Sequence, residues 1–414
     1  MGENIIRLLL ICISFSVIGQ EKKTKNKVVF IIVDGISSDL YYKSNTPNID
    51  AIGKEGAFTE AYVGGKRGTI TETPTISAVG YNSLITGTWV NKHNVYGNNI
   101  RKPNYNYPTL FRVLKDAYPN KKTAIFSTWL DNRTKLVGEN LPETNNVKVD
   151  YHFDGLEVDE KRFPHDRFKK YLKRIDAEVA REAANYILDE GPDLSWVYLE
   201  HSDDVAHYYG ESKAFFDIVA YEDALIGTIA DAIKLRELKT DENWLLIVTT
   251  DHGRMPLDGK HHGFQSDRER SIWIALNKPI TNTYFKNNSV ALVDIYPTII
   301  DFLNIPLPKQ TAYELDGIPL NKQIDVFDLA GVAIDNKVKL NWLVEHKKHE
   351  KAKVYISYTN NIKKGGTDEY KLIGEVDVQD KEYLLKIKPV KKTTYIKVVF
   401  VTKNHSINTW IKIN

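Results

Sequence analysis

Cysteine is almost absent from this chain of 414 residues, and the one example, Cys12, sits in an apolar N-terminal run. With a single thiol, internal disulfides are excluded, and so is a cysteine-built metal site or redox pair. Charge of one sign is also lacking: 56 Lys and Arg stand against 54 Asp and Glu, a net +2. Such a balance gives no electrostatic footprint for a nucleic-acid polymer or a membrane surface. Lysine clusters occur at 21–27 and 385–392 and read as solvated faces. Long hydrophobic runs are missing as well. Leu8–Ile18 is too short to span a bilayer, which takes about 20 apolar residues.

That short run, preceded by Arg7 and with Val17 and Gly19 as the small residues just before Gln20, has the form of a signal peptide over residues 1–19. Ile11 before Cys12 speaks against a lipoprotein site. Cleavage predicts an exported protein, periplasmic or secreted, with no membrane span and no thiol. Any metal ligands must then be His, Asp, Glu or hydroxyl groups.

Hydrophobic content of 42% and charged content of 27% belong to a globular protein with ample core. Apolar segments at Val28–Val33, Thr123–Ser127, Trp196–Glu200, Leu245–Thr250 and Ser271–Leu276 read as strands. Helical spacing marks Ala177–Asp189, Phe215–Leu238 and Pro297–Leu303. This alternation predicts an α/β fold, a mostly parallel central sheet flanked by helices. Past residue 323 the texture becomes short alternating strands: Val338–Val344, Ala352–Tyr358, Tyr370–Val378, Glu382–Ile387 and Tyr395–Val401. Residues 324–414 are therefore expected to form a small β-sandwich (fibronectin-III/Ig-like) around Trp342, after a catalytic domain over 20–323. Polar residues Gly138–Lys173 read as an inserted loop, a lid or merely a variable surface.

Acidic and histidine residues recur where these strands end. Asp34-Gly35 follows the first strand, Asp203 and His207 follow Trp196–Leu199, and Asp251-His252 follows Leu245–Thr250. Carboxylates and imidazoles at several strand ends of an α/β sheet are metal-ligand types placed where such folds build sites. Each alone has a plainer reading, His207 as a surface histidine and Ser77 as a helix cap.

In the segment Pro74-Thr75-Ile76-Ser77, with Thr86-Gly87 closing the helix that follows, the chain resembles the alkaline phosphatase superfamily. The likeness is strongest to the type I phosphodiesterase and nucleotide pyrophosphatase branch. His93-Asn94-Val95-Tyr96-Gly97-Asn98 is similar to that family's His-Gly-Ile-x-x-Asn, and Asp34, Asp203-x-x-x-His207, Asp251-His252-Gly253 and His262-Gly263 match its ligand motifs in order. Asp294–Leu303 and Leu315–Leu320 resemble its closing segment. The resemblance implies an alkaline-phosphatase-like catalytic fold from residue 27 to about 320. It also implies two ligand sets, Asp203/His207/His262 and Asp34/Asp251/His252, with Ser77 as metal-bound nucleophile between them. His262 is preferred to His261 because the family histidine directly precedes glycine. Mixed His and carboxylate ligands suit two Zn²⁺ ions, which about 4 Å apart can clamp an in-line displacement at phosphorus. Asn98 is the expected substrate contact, with Lys66 or Arg67 as further charge for the phosphate.

These residues lead to an exported binuclear-metal hydrolase of phosphoric esters, a phosphodiesterase acting through a phosphoseryl enzyme on a small-molecule or saccharide ester. Two departures bear on the substrate: Ser77-Ala78 is similar to the phosphomonoesterase branch, and Asn94 replaces the motif glycine. Phosphomonoester and sulfate ester hydrolysis are thus alternatives. Ser77-Ala78-Val79-Gly80-Tyr81 lacks the Pro and Arg that formylglycine sulfatases require. A catalytically silent binding protein would have no need of six ligands and a nucleophile.

Overall fold

The computed structural model describes residues 25–280, 282–286, 290–387 and 394–413. The expected signal peptide lies outside them. Seven strands form the main sheet: β1 (Lys25–Val33), β2 (Ala57–Tyr62), β3 (Thr123–Ser127), β4 (Tyr151–Phe153), β5 (Leu194–Leu199), β6 (Glu242–Thr249) and β7 (Ser271–Leu276). Their spatial order is β2-β7-β6-β1-β5-β3-β4. Every pairing is parallel except those of β7 with β6 and β2.

The continuous apolar run of β1 follows from its central position. Val28, Phe30 and Ile32 pack into one core, while Val29, Ile31 and Val33 pack into the other, all at 1% exposure or less. A strand covered on both faces has no polar face to alternate with. The helices Tyr171–Asp189 and Lys213–Lys239 cover the second face. Among the described residues no helix is long and apolar enough to cross a membrane.

The C-terminal strands are β8 (Val326–Ile334), β9 (Lys337–Val344), β10 (Lys351–Ser357), β11 (Lys371–Asp377), β12 (Glu382–Lys386), β13 (Tyr395–Val401) and β14 (Ser406–Lys412). They form two antiparallel sheets, β12-β9-β8 and β11-β10-β13-β14. Strand β9 alternates, with Val338, Leu340 and Trp342 inward. Trp342 meets Phe400 edge-on at 4.9 Å and donates its Nε1 hydrogen to the Val378 carbonyl at 2.8 Å. The apolar packing of these sheets is continuous with the core under β1.

A buried polar network joins the C-terminal strands to the rest. Lys397 of β13, 2% exposed, pairs with Glu314 and Asp368. Fully buried Lys92 pairs with Asp316 at 2.6 Å. Both ammonium groups face the Trp410 ring, at 4.5 Å and 5.5 Å from its centre.

The stretch 138–173 is less loop-like than its polarity suggests. It supplies the edge strand β4, paired with β3, and Lys169, whose ammonium bonds Asp204 at 2.6 Å. Three residues of Tyr151–Phe153 are too few to reveal a strand by periodicity.

Candidate active site

Strand register brings the first ligand types together. Val33 pairs with Leu199 of β5, and Ile32 with Thr249 of β6, so continuing both registers sets Asp34 beside Glu200 and Asp251. The chain then turns at Gly35, whose φ of 72° favours glycine. A Cβ there would stand 2.3 Å from Arg254 Nη2 and 2.8 Å from Asp203 Oδ1, so the turn is also a close approach. The Gly35 amide donates to Asp251 Oδ1 at 3.1 Å.

Asp34 is committed on one oxygen only. Its Oδ2 accepts from the Tyr81 hydroxyl and from Tyr198 Oη at 2.7 Å, while Oδ1 has no hydrogen-bond partner. Burial first, then the Asp34 carboxylate, holds both tyrosines well above the usual phenol range, so they remain donors. Asp251 likewise leaves Oδ2 without a hydrogen bond in a fully buried site. Orphaned carboxylate oxygens at full burial ask for a cation.

His252 Nε2 lies 3.2 Å from Asp34 Oδ1 and 3.3 Å from Asp251 Oδ2. Burial works against its charge, yet Asp251 and Asp34 raise its pKa to about 9. The local field thus draws positive charge, which a proton or a metal ion can supply. The Asp251 pKa is raised as well, far above the carboxylate range, through burial and then Asp34.

The helix His201–Tyr209 presents Asp203 and His207 one turn apart, with His207 Nε2 at 3.1 Å from Asp203 Oδ2. His262 reaches the same place: its Nε2 is 3.2 Å from His207 Nε2 and 3.7 Å from Asp203 Oδ1. Its Nδ1 meets the Thr75 carbonyl at 2.8 Å, which makes Nδ1 the protonated nitrogen and aims the Nε2 lone pair into the cluster. Thr75 also accepts from the Gly263 amide and donates to the Phe264 carbonyl, clamping that loop. His261 is exposed, and its carbonyl accepts from Met255.

Two groups result whose ligand atoms lie within 4.8 Å of one another: Asp203/His207/His262 and Asp34/Asp203/His252. Asp203 therefore reaches both, while Asp251 flanks the second through His252. Burial would raise the Asp203 pKa. The Arg254 guanidinium, the His207 hydrogen bond and the electrostatic effect of the His262 ring overturn that and hold it well below the usual range. Fully buried Arg254 also bonds the carbonyls of Gly35 and Asp203, at 2.9 Å and 3.1 Å. Arg254, Tyr81 and Tyr198 escaped the sequence reading. A charged residue directly after Asp-His-Gly and a tyrosine one turn beyond Ser77 were the available signals.

Ser77 opens the helix Ser77–Thr86, which ends at Gly87 with φ 63°. Ile76 occupies the N-cap, so the serine hydroxyl is not spent on capping and lies 3.3 Å from His252 Nε2. The helix can approach the β6 end because Gly80 has no side chain; a Cβ there would meet the Asp251 carbonyl at 2.8 Å. Asn98 Oδ1 accepts from the Ala78 amide at 3.0 Å, capping this helix from a separate loop. Lys66 and Arg67 go elsewhere. Both line a cleft of about 920 Å³ against the C-terminal strands, and Arg67 pairs with Asp267 at 2.6 Å.

Buried His93 holds the Asn98 loop in place. Its Nδ1 accepts from the Val95 amide at 3.1 Å, which leaves Nε2 to donate to Ser83 Oγ at 3.0 Å. Burial, then the charge of Lys363, lowers its pKa from 6.5 to about 3. A depressed histidine pKa means neutral His93 stabilises the fold fully above pH 6.5, a contribution lost as pH falls towards 3. The limiting loss is roughly 5 kcal/mol. His93→Gln is expected to flatten the acid limb of thermal melts over that window only in part, because buried His405, lowered to about 4, contributes too. An unchanged acid limb would remove His93 as a cause.

The sequence profile of the type I phosphodiesterase/nucleotide pyrophosphatase family matches residues 28–382. A pyrophosphatase/phosphodiesterase of Schizosaccharomyces pombe, described as uncharacterized, is 24% identical over 285 residues, which cover 66% of this chain and 50% of the relative. Human ectonucleotide pyrophosphatase/phosphodiesterase family member 7 is 23% identical over 323 residues, 72% of this chain and 64% of its own length. The chain thus spans about half to two thirds of these two relatives. A candidate sulfatase from Bacteroides thetaiotaomicron shares the fold at a TM-score of 0.50 and 14% identity, over 84% of this chain and 85% of its own. The family match covers most of the residues that build the sheet, the ligand cluster and the Ser77 helix, and the chain belongs to the type I phosphodiesterase/nucleotide pyrophosphatase family, a family of hydrolases in the alkaline phosphatase superfamily.

Proposed function

We propose that this protein is an exported hydrolase of phosphoric esters, diesters foremost, in which Ser77 attacks phosphorus. The observation that carries the reading is the position of Ser77 Oγ, free of capping duty, 3.3 Å from His252 at the edge of two ligand groups that share Asp203. Export is supported by Arg7 and the apolar run Leu8–Ile18.

The unpaired Oδ1 of Asp34 and Oδ2 of Asp251, with imidazole nitrogens beside them, fit divalent cations of the Zn²⁺ type. Asp203, His207 and His262 would hold one ion, and Asp34, Asp251 and His252 the other. When bound, two such ions supply Lewis acidity and lower the pKa of a hydroxyl.

The chain's own residues do the remainder. Ser77 Oγ forms the bond to phosphorus as its proton departs to solvent. The bond to the leaving alcohol breaks, and water later cleaves the phosphoseryl ester. The N-terminus of the Ser77 helix favours the anionic phosphoryl group. Asn98 has its carbonyl fixed by the Ala78 amide, so its NH₂ is left to donate to a phosphoryl oxygen. Arg254 keeps Asp203 ionised and oriented, and Tyr81 and Tyr198 fix which Asp34 oxygen faces the cluster. Lys66 and Arg67, on the cleft beside the C-terminal strands, would meet only a distal part of a substrate.

Turnover of an aryl phosphate monoester, an aryl phosphate diester and an aryl sulfate at equal concentration tests this reading. The diester is expected to react fastest. A faster monoester or sulfate would overturn the diesterase assignment, and inertness towards all three would overturn the hydrolase.

A further inference from the structure

The net charge of +2 averages over an uneven distribution. Residues 161–174 carry seven lysines and arginines against one acid, Asp166, and run into the first turn of the helix Tyr171–Asp189. Arg162 pairs with Glu178, which also serves Arg181, and Lys169 pairs with Asp204. The other five, Lys161, Arg167, Lys170, Lys173 and Arg174, are exposed. Among the described residues none of the five has a carboxylate within ion-pair distance. Asp166 itself accepts from the amides of Phe168 and Tyr171.

Stability does not explain this placement. A helix N-terminus carries positive partial charge and favours acids in its first turn. This helix has none there, and holds Lys170, Lys173 and Arg174 at that end instead. A local rule broken at exposed positions points to function. The cations rest on rings rather than on acids. Arg167 and Lys170 lie over Phe168, at 5.5 Å and 6.0 Å, Arg174 over Phe163 at 5.4 Å and Lys173 over Tyr221 at 4.3 Å. Such contacts fix where each charge stands and leave its N–H donors open to an anion. The face runs up to the ligand cluster: Phe168 meets Tyr208 edge-on at 5.6 Å, and Tyr208 directly follows His207. At the other end Arg162, Lys173 and Arg174 line a recess of about 420 Å³.

A ligand that matches this face carries several negative charges along one molecule. Insertion into a lipid surface is disfavoured, since the apolar Phe163, Tyr171, Leu172 and Ile175 are all buried, at 8% exposure or less. Base stacking is disfavoured too, because Phe168 is covered by its cations and by Tyr208 and Tyr209. We infer that residues 161–174 form a binding face for a polyanionic polysaccharide, a sugar chain bearing repeated sulfate, phosphate or carboxylate groups. That a bound chain also presents its ester to Ser77 rests on the proposed hydrolase; that it binds does not.

Calorimetry of the full chain against dextran sulfate, with uncharged dextran as control, tests the face. Dextran sulfate is expected to bind saturably, more weakly as salt is raised, and dextran not at all. Lys173→Gln combined with Arg174→Gln is expected to weaken that binding at least about tenfold, with hydrolysis of a small aryl phosphate diester unchanged. Lys351→Gln combined with Lys353→Gln removes the same charge from the C-terminal strands and is expected to weaken it less than about twofold. All four side chains are exposed, so neither double variant disturbs the core. No saturable binding of dextran sulfate, or equal losses in the two double variants, would overturn the inference, net charge alone being responsible in the second case. Tighter binding of phosphatidylserine vesicles or of oligothymidine, lost in Lys173→Gln/Arg174→Gln, would give the face to a membrane or a nucleic acid and overturn the polysaccharide assignment. Dextran sulfate binding without any ester hydrolysis would keep this face and remove the hydrolase; hydrolysis without that binding would do the reverse.

Discussion

Replacing Ser77 by Ala is expected to lower turnover by at least about 10³-fold while leaving metal content and thermal midpoint nearly unchanged. The asymmetry follows from where the hydroxyl stands. Ser77 is the first residue of its helix and Ile76 is the cap, so no capping bond is lost. Alanine is also the better helix former. The hydroxyl's one contact is with His252, whose position is fixed independently by its neighbours Asp34 and Asp251 and by the Gly253 carbonyl. Stopped turnover with intact metal separates a nucleophile from a structural serine. Turnover at the unmutated rate would remove Ser77 from the chemistry.

The second large effect is on stability. Lys397→Met is expected to destabilise the fold by about 3–5 kcal/mol, because it leaves charges buried without their partner. Glu314 and Asp368 are 1% and 2% exposed, and both depend on that ammonium. Glu314 would keep Tyr370 Oη and the more distant Lys92 ammonium, at 3.9 Å, and Asp368 only the Thr359 hydroxyl and the Asn361 amide. Adding Glu314→Gln and Asp368→Asn to Lys397→Met should recover much of the loss, since neutral amides need no counter-charge. Thermal melts of the single and triple variants check this. Equal midpoints for Lys397→Met and the unmutated protein would show that the network contributes little.

How much of this was legible in the sequence depended on whether a feature is local. The central strands were readable because burial on both faces leaves an unbroken apolar run, and Asp34 and Asp251 could be placed at their ends. Strand β2, Ala57–Tyr62, was not readable: at the sheet edge, with β7 as its strand neighbour, it mixes Thr59 and Glu60 with apolar residues. Strands β8 and β14 were also missed. Val326–Ile334 loses register at a bulge near Phe327, and Ser406–Lys412 is mostly half-buried, so neither shows clean alternation.

The same distinction runs through the candidate site. Motif spacing pointed to the Asp and His residues of the two candidate groups and to Asn98. It could not show that Asp203 reaches both ligand groups, because that depends on the packing of three separate segments. Tyr81 and Tyr198 share one Asp34 oxygen although 117 residues separate them, a relation no sequence period encodes. Arg67 was named from its place before Ser77 in sequence, and its bonds to Asp267 and to the Gln265 carbonyl are contacts that no spacing shows.

The central claim is that six Asp and His residues beside Ser77 form a two-metal hydrolytic centre. Metal analysis of the purified full chain, with aryl phosphate diester hydrolysis followed before and after chelation, tests it most directly. The account predicts two divalent ions per chain, loss of hydrolysis when they are removed, and recovery when Zn²⁺ is returned. A chain that binds no divalent ion and hydrolyses the ester equally with and without chelator would contradict it.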